Sequence, residues 1–196
     1  MPNWCSNNIV MTHPDPSMIQ RAKTAFAAGR LLDEFIPCPQ ALRDTVAGSF
    51  SDPVQKSALQ RKEKANLKKY GYKNWYDFCA NEWGTKWDIG GADETLFSPL
   101  EETPDSIMEA SFQSAWAPPI AAYEKLHGMG FSVSACYYEP GMSFCGMWVD
   151  GQDDLYELDG MTSSQVKGAI PAELDEMMGI SESMEEIEDM QAEDEG

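Results

Sequence analysis

Residues 108–137 read MEASFQSAWAPPIAAYEKLHGMGFSVSACY. Met108, Ala110, Phe112 and Trp116 alternate with Glu109, Ser111 and Gln113, the period of a half-buried strand. Pro118-Pro119 suits a helix start, where the first N–H groups lack an intrahelical acceptor. Ile120, Tyr123, Leu126 and His127 then share one helical side, which gives His127 a core-facing position, and Gly128 and Gly130 stop the helix. Phe131, Val133, Ala135 and Tyr137 alternate again. The stretch is therefore a strand–helix–strand unit.

Working outward, Glu139-Pro140-Gly141 is a turn and Met142 to Val149 a further strand. Asp150-Gly151 is a strong hairpin signal, because both central positions of a tight two-residue turn need positive φ, and Leu155 to Leu158 forms the returning strand. Upstream, Trp4, Ile9, Val10 and Met11 form a β-prone run that Asn7-Asn8 is expected to break. Asp15 or Ser17 caps a helix carrying Met18, Ile19, Ala22, Ala25 and Phe26, and Gly29 ends it. Leu31 to Ile36 reads as extended, and the prolines of Pro37-Cys38-Pro39 exclude regular pairing there.

From Gln40 to about Trp83 the pattern is helical. Ser51-Asp52-Pro53 starts a helix from Val54 to Tyr70, rich in good helix formers, and Gly71 punctuates it. Asn74 caps a second helix with Trp75, Cys79 and Trp83 on one face, and Gly84 is its stop. Trp87 and Ile89 then alternate as strand before Gly90-Gly91. The fold class is α+β, a split β-α-β antiparallel sheet with a helical insertion and a C-terminal hairpin. Residues 1–39 form a first β-α-β half and 40–86 the insertion. Residues 87–160 form the second half plus hairpin, and 161–196 an acidic, largely disordered tail that begins with a short helix near Pro171.

The net charge of −19 is uneven. Residues 56–73 carry seven basic side chains against one acidic, whereas residues 171–196 carry eleven acids and no base. Net acidity opposes generic nucleic-acid binding, since phosphate neutralisation supplies most non-specific affinity, yet a local basic patch still binds phosphates. The five cysteines are scattered, without a C-x-x-C pair, and read as reduced, buried thiols. With no apolar run of membrane-spanning length and no signal peptide at Met1-Pro2-Asn3-Trp4, the expected location is the cytoplasm.

Catalytic templates are missing: there is no P-loop, no G-x-G-x-x-G, no H-E-x-x-H and no G-x-S-x-G. Cys79 or Cys145 would need an adjacent histidine to act as a nucleophile, and neither His13 nor His127 is placed for it. Asp150, Asp153, Asp154, Glu157 and Asp159 lack the ligand order of a calcium loop and read as a solvated hairpin. No catalytic residue, metal site or cofactor is expected.

What remains is the segment Asn74 to Asp88, where five of fifteen residues are aromatic, just after the basic run. Tryptophans so dense are either packing or a binding platform. Packing of Trp75 and Trp83 between insertion and sheet is favoured. The binding alternative comprises Lys62, Lys64, Lys68, Lys69, Lys73, Trp75, Tyr76, Trp83, Lys86 and Trp87.

Several blocks, in order, resemble one family: Met1 to Cys5, Trp75-Tyr76, Asn81 to Asp88, Ala115 to Pro119, Tyr137 to Met142, and Phe144 to Gly146. The chain is similar over residues 1–150 to the YubB-type family of bacteriophages and conjugative plasmids. That resemblance implies a ferredoxin-like domain and an origin in a mobile element, and no mechanism. The expected function is accordingly a non-enzymatic binding or accessory protein that engages a host or phage protein, as an inhibitor or an acidic nucleic-acid mimic. The alternative is a single-stranded nucleic-acid-binding protein using residues 56–87, with the acidic tail as a tethered competitor.

Overall fold

A computed structural model describes residues 3–89, 91, 97–100 and 102–194. Five strands form one antiparallel sheet: β1 (Trp4–Thr12), β2 (Ile107–Ala115), β3 (Ser132–Glu139), β4 (Phe144–Val149) and β5 (Gln152–Glu157), in the order β2-β1-β3-β4-β5. Nine helices accompany them among the described residues: α1 (Pro16–Ala27), α2 (Leu31–Phe35), α3 (Gln40–Arg43), α4 (Pro53–Tyr70), α5 (Trp75–Glu82), α6 (Ile120–Gly128), α7 (Ser163–Ala169), α8 (Ala172–Met178) and α9 (Ile180–Asp194).

The opening stretch folds as β2-α6-β3. Both strands pair antiparallel to β1, one on each side, so β1 splits this β-α-β unit. The fold is α+β of the ferredoxin-like type, but the strand order departs from the double split of that arrangement. One split unit is followed by the meander β3-β4-β5. The tight turn between β4 and β5 is Asp150-Gly151, with φ of 44° and 103°, the two positive values that such a turn requires.

Residues 1–39 are not a β-α-β half, because Leu31–Phe35 is helix rather than strand. Leu31, Leu32 and Phe35 bury one helical face. The Asp88 carboxylate, from across the fold, accepts the Leu32 and Asp33 backbone N–H groups at 2.9 and 2.8 Å. A helix this short forms only with such tertiary support. Asn7 does not break β1 either. Its amide donates to Cys5 O and Ser114 Oγ, both at 2.8 Å, and its carbonyl accepts from the Tyr123 hydroxyl at 3.3 Å, so the buried amide is satisfied within the sheet. Trp87 to Ile89 turns rather than extends. Asn74 caps α5 as expected, Asp15 rather than Ser17 caps α1, and within the start signal Ser51-Asp52-Pro53 it is Asp52 that caps α4.

The sheet has two covered faces. On one, Ile9, Met11, Phe112, Val133, Ala135 and Trp148 pack against α1, α2, α5 and α6. On the other, Cys136, Tyr138 and Cys145 pack against Leu158, Val166, Ile170, Leu174 and Ile180. Those last four belong to the segment expected to be disordered. It is helical through Asp194. A capping box joins Thr162 and Gln165, Gly179 turns left-handed at φ 61° between α8 and α9, and Glu188 ties α9 to the Ser163 N–H and hydroxyl. Its acids serve as helix partners, not only as solvated charge.

Candidate functional site

The residues proposed as a binding platform divide. Trp83 belongs to the core: it is 3% exposed and its indole N–H donates to Ile36 O at 2.9 Å. An indole placed in a pocket needs that acceptor for its one donor, and finding it commits Trp83 to packing. The four proposed lysines that lie on α4, Lys62, Lys64, Lys68 and Lys69, are all exposed. Only Leu59 and Asn66 of this helix are buried. Asn66 donates to Thr45 Oγ1 and Lys73 O, each at 2.9 Å, while Lys62 Nζ reaches Asp44 O at 2.6 Å. One stripe of α4 is thus tied to the turn after α3, and Lys64 and Lys68 project into solvent. Lys69 Nζ lies 4.9 Å over the Tyr70 ring. Among the described residues no basic side chain of α4 forms an ion pair.

Lys73, Trp75, Tyr76 and Lys86 do come together. They line an open concavity of about 480 Å³ with Trp116, Asp77 and Glu63. Asn74, at the start of α5, accepts the Asp77 N–H at 3.0 Å, and this cap fixes how Trp75 and Tyr76 leave the helix. Their rings meet edge to face at 5.9 Å. Lys86 Nζ sits 4.3 Å from the Trp87 ring centre and 4.9 Å from that of Trp116, an ammonium held between two indoles. Trp4 continues the row, 6.0 Å beyond Trp87.

Trp116 was not among the expected site residues, because strand alternation puts it inside with Phe112. The alternation fails one residue past β2. Trp116 has φ of 68°, its N–H donates to Asn3 O at 2.9 Å, and the side chain is 42% exposed. A left-handed backbone at a bulky residue costs about 1–2 kcal/mol and persists only where the surroundings enforce it. The following Pro118-Pro119 is the local signal that the strand cannot continue.

The acids behind the site are structural. Glu82 accepts from Lys125 Nζ at 2.5 Å and from the Tyr72 hydroxyl. Burial would raise its carboxyl, but these two donors hold it below the usual range, and the same contact pushes Tyr72 up to about 12. Burial pushes Asp88 up to about 6, against the N–H groups of Leu32, Asp33 and Ile89 that favour its charged form. The folded protein therefore holds this proton more tightly than the unfolded chain. Stability from Asp88 is complete below its ordinary pKa and is lost as pH rises through about 6. The thermal-stability advantage of wild type over Asp88→Asn should accordingly be larger near pH ~4.5 than near pH ~7.5. An advantage that grows with pH in paired melts would contradict the assignment.

Neither cysteine considered as a nucleophile is activated: burial pushes both Cys79 and Cys145 up to about 12. His127 faces partly outward, and its Nδ1 lies 3.4 Å from Asp150. No helix among the described residues is long and apolar enough to cross a membrane.

No family model matches the chain, and no curated protein matches it. A solved structure, the protein api92 from Yersinia pseudotuberculosis, described with the family model DUF1281, superposes with a TM-score of 0.39 at 12% identity. The match covers 80% of this chain and 98% of that one.

Proposed function

We propose that the chain is a non-enzymatic binding protein that holds single-stranded nucleic acid on the face built by Trp75, Tyr76, Trp116 and Lys86, with the lysines of α4 reaching neighbouring phosphates. The observation that carries this reading is Lys86 fixed between the Trp87 and Trp116 rings at the border of an open, aromatic-lined concavity. A part-exposed indole with a cation over its ring offers a base a stacking surface and the attached phosphate a counter-charge. Stacking on an aromatic is worth about 1–3 kcal/mol per base and tolerates any sequence. The strongly acidic remainder of the molecule confines the strand to this face, which accounts for a net charge of −19 in a protein that binds a polyanion. In a bacteriophage or plasmid, the setting implied by the resemblance, such a protein acts in the host cytoplasm.

Trp116→Gly tests the reading. Glycine adopts φ 68° without strain, and that relief offsets part of the burial lost with the indole, so the melting temperature should fall only modestly. Affinity for a labelled oligothymidylate at low salt should fall roughly tenfold, the loss of one stacked base. Unchanged affinity would reject the site. A host or phage protein partner is the second reading, favoured by a separate acidic groove.

A further inference from the structure

The β5 edge of the sheet is not fully covered. Helix α6 covers Trp148 through Tyr123, whose rings are 5.7 Å apart, and leaves a cavity of about 810 Å³ between α6 and β5. Its apolar lining includes Ile120 and Ala121 from α6, Phe144 from β4 and Leu155 from β5. Leu155 is 55% exposed and Met142, also in the lining, 67%. Glu124, Asp153, Glu157 and Asp159 also line the cavity, and no lysine or arginine does. None of the four forms an ion pair among the described residues.

The groove has built detail. Tyr137 crosses β4 and donates its hydroxyl to Asp153 at 2.7 Å. It can do so only because residue 146 is glycine: a Cβ there would lie 2.2 Å from the Tyr137 hydroxyl and 2.7 Å from Asp154 O. The tyrosine orients one carboxylate at the groove wall. Along β5 the side chains Asp153, Leu155 and Glu157 follow one another on the same face, giving acid, apolar, acid at the spacing of alternate strand residues, about 6.8 Å. β5 is also an edge strand, with one row of backbone groups unpaired by the sheet.

We infer that this groove docks an extended, basic segment of a partner protein, in which two lysines or arginines flank an apolar residue at alternate positions. Such a segment has the period of β5, places one cation on Asp153 and the other on Glu157 and on Glu124 of α6, and lays its apolar side chain on Leu155 and Phe144. Charge complementarity excludes an acidic strand or a nucleic acid here. The surface is distinct from the Trp116 concavity, so the inference stands independently of nucleic-acid binding.

Two labelled peptides of identical composition separate sequence-specific docking from attraction to a polyanion. In one, two lysines flank a central valine at alternate positions; in the other, they are adjacent and the valine is terminal. Fluorescence anisotropy should show tighter binding of the alternating peptide. Glu124→Gln/Glu157→Gln should weaken it roughly fivefold, as expected for two half-exposed ion pairs, with an unchanged melting temperature. Glu185→Gln/Glu186→Gln removes the same charge from exposed positions of α9 and should leave binding at wild-type strength. Asp153→Asn provides a second groove variant, judged alongside its own melting curve. Equal weakening by the groove and α9 pairs, or no preference for the alternating peptide, would overturn the inference.

Discussion

A chain ending at Met161 is expected to lose cooperative unfolding and to expose one whole face of its sheet. Removing α7 to α9 uncovers Cys136, Tyr138 and Cys145, and takes away Val166, Ile170, Leu174 and Ile180, all at or below 7% exposure. Burying each such side chain is worth about 1.5–3 kcal/mol. Four of them total roughly 6–12 kcal/mol before the ordering entropy of the helices is subtracted, comparable with the net stability of a whole domain at about 5–15 kcal/mol. The shortened chain should bind a hydrophobic dye and aggregate on heating, and its near-ultraviolet circular dichroism should collapse. A sharp melt at the wild-type temperature would show that the acidic segment is an appendage rather than half of a core. The same geometry bears on the expected masking role of the tail. Its helices sit on the face opposite the insertion, and Lys167–Glu185, at 3.6 Å, pairs the tail with itself.

The tryptophans of the insertion should separate just as sharply. Trp83→Ala removes a 3% exposed indole that touches the main core and leaves Ile36 O without its donor. The expected cost is about 3–5 kcal/mol, from the cavity and the orphaned carbonyl together. Trp75→Ala, at a partly exposed position, should cost well under half as much, and its effect should appear in ligand binding. Chemical denaturation of the two variants beside wild type provides the comparison. Equal losses would mean that the aromatic segment is one packing unit, and a small loss for Trp83→Ala would place that side chain at a surface.

The tail and the tryptophans show what local sequence determines and what it leaves open. β2-α6-β3 was legible because period-2 and helical patterns are separated there by Pro118-Pro119 and by Gly128 and Gly130. The Asp150-Gly151 turn and the caps Asp15, Asp52 and Asn74 were legible because each satisfies backbone geometry with its own side chain or its own φ. Leu31–Phe35 was not, since its helix is held by Asp88, fifty-odd positions away, and a five-residue apolar run fits either state. In the tail, charge count hid the apolar spacing of Val166, Ile170, Leu174 and Ile180, although Thr162 and Gln165 already spelled a capping box.

The candidate site was half legible for the same reason. Composition placed Lys73, Trp75, Tyr76, Lys86 and Trp87 close in sequence, and the fold keeps them close in space. Trp83 shares a helical face with Trp75 by period yet turns fully inward at the C-terminal cap of α5, where its indole N–H reaches Ile36 O. Trp116 lies thirty residues beyond Lys86 and joins it only because the chain reverses its φ at the end of β2. A lone positive φ at a tryptophan has no signature in composition or period.

The most direct test is photo-crosslinking of the full chain to an oligonucleotide carrying 5-bromouracil at every position, with the adducts mapped by mass spectrometry. Adducts on Trp75, Tyr76 or Trp116, suppressed by added salt and by Lys86→Ala, are the predicted outcome. Adducts confined to other surfaces, or none at low salt, would contradict the central claim that this aromatic and basic face is where the protein binds single-stranded nucleic acid.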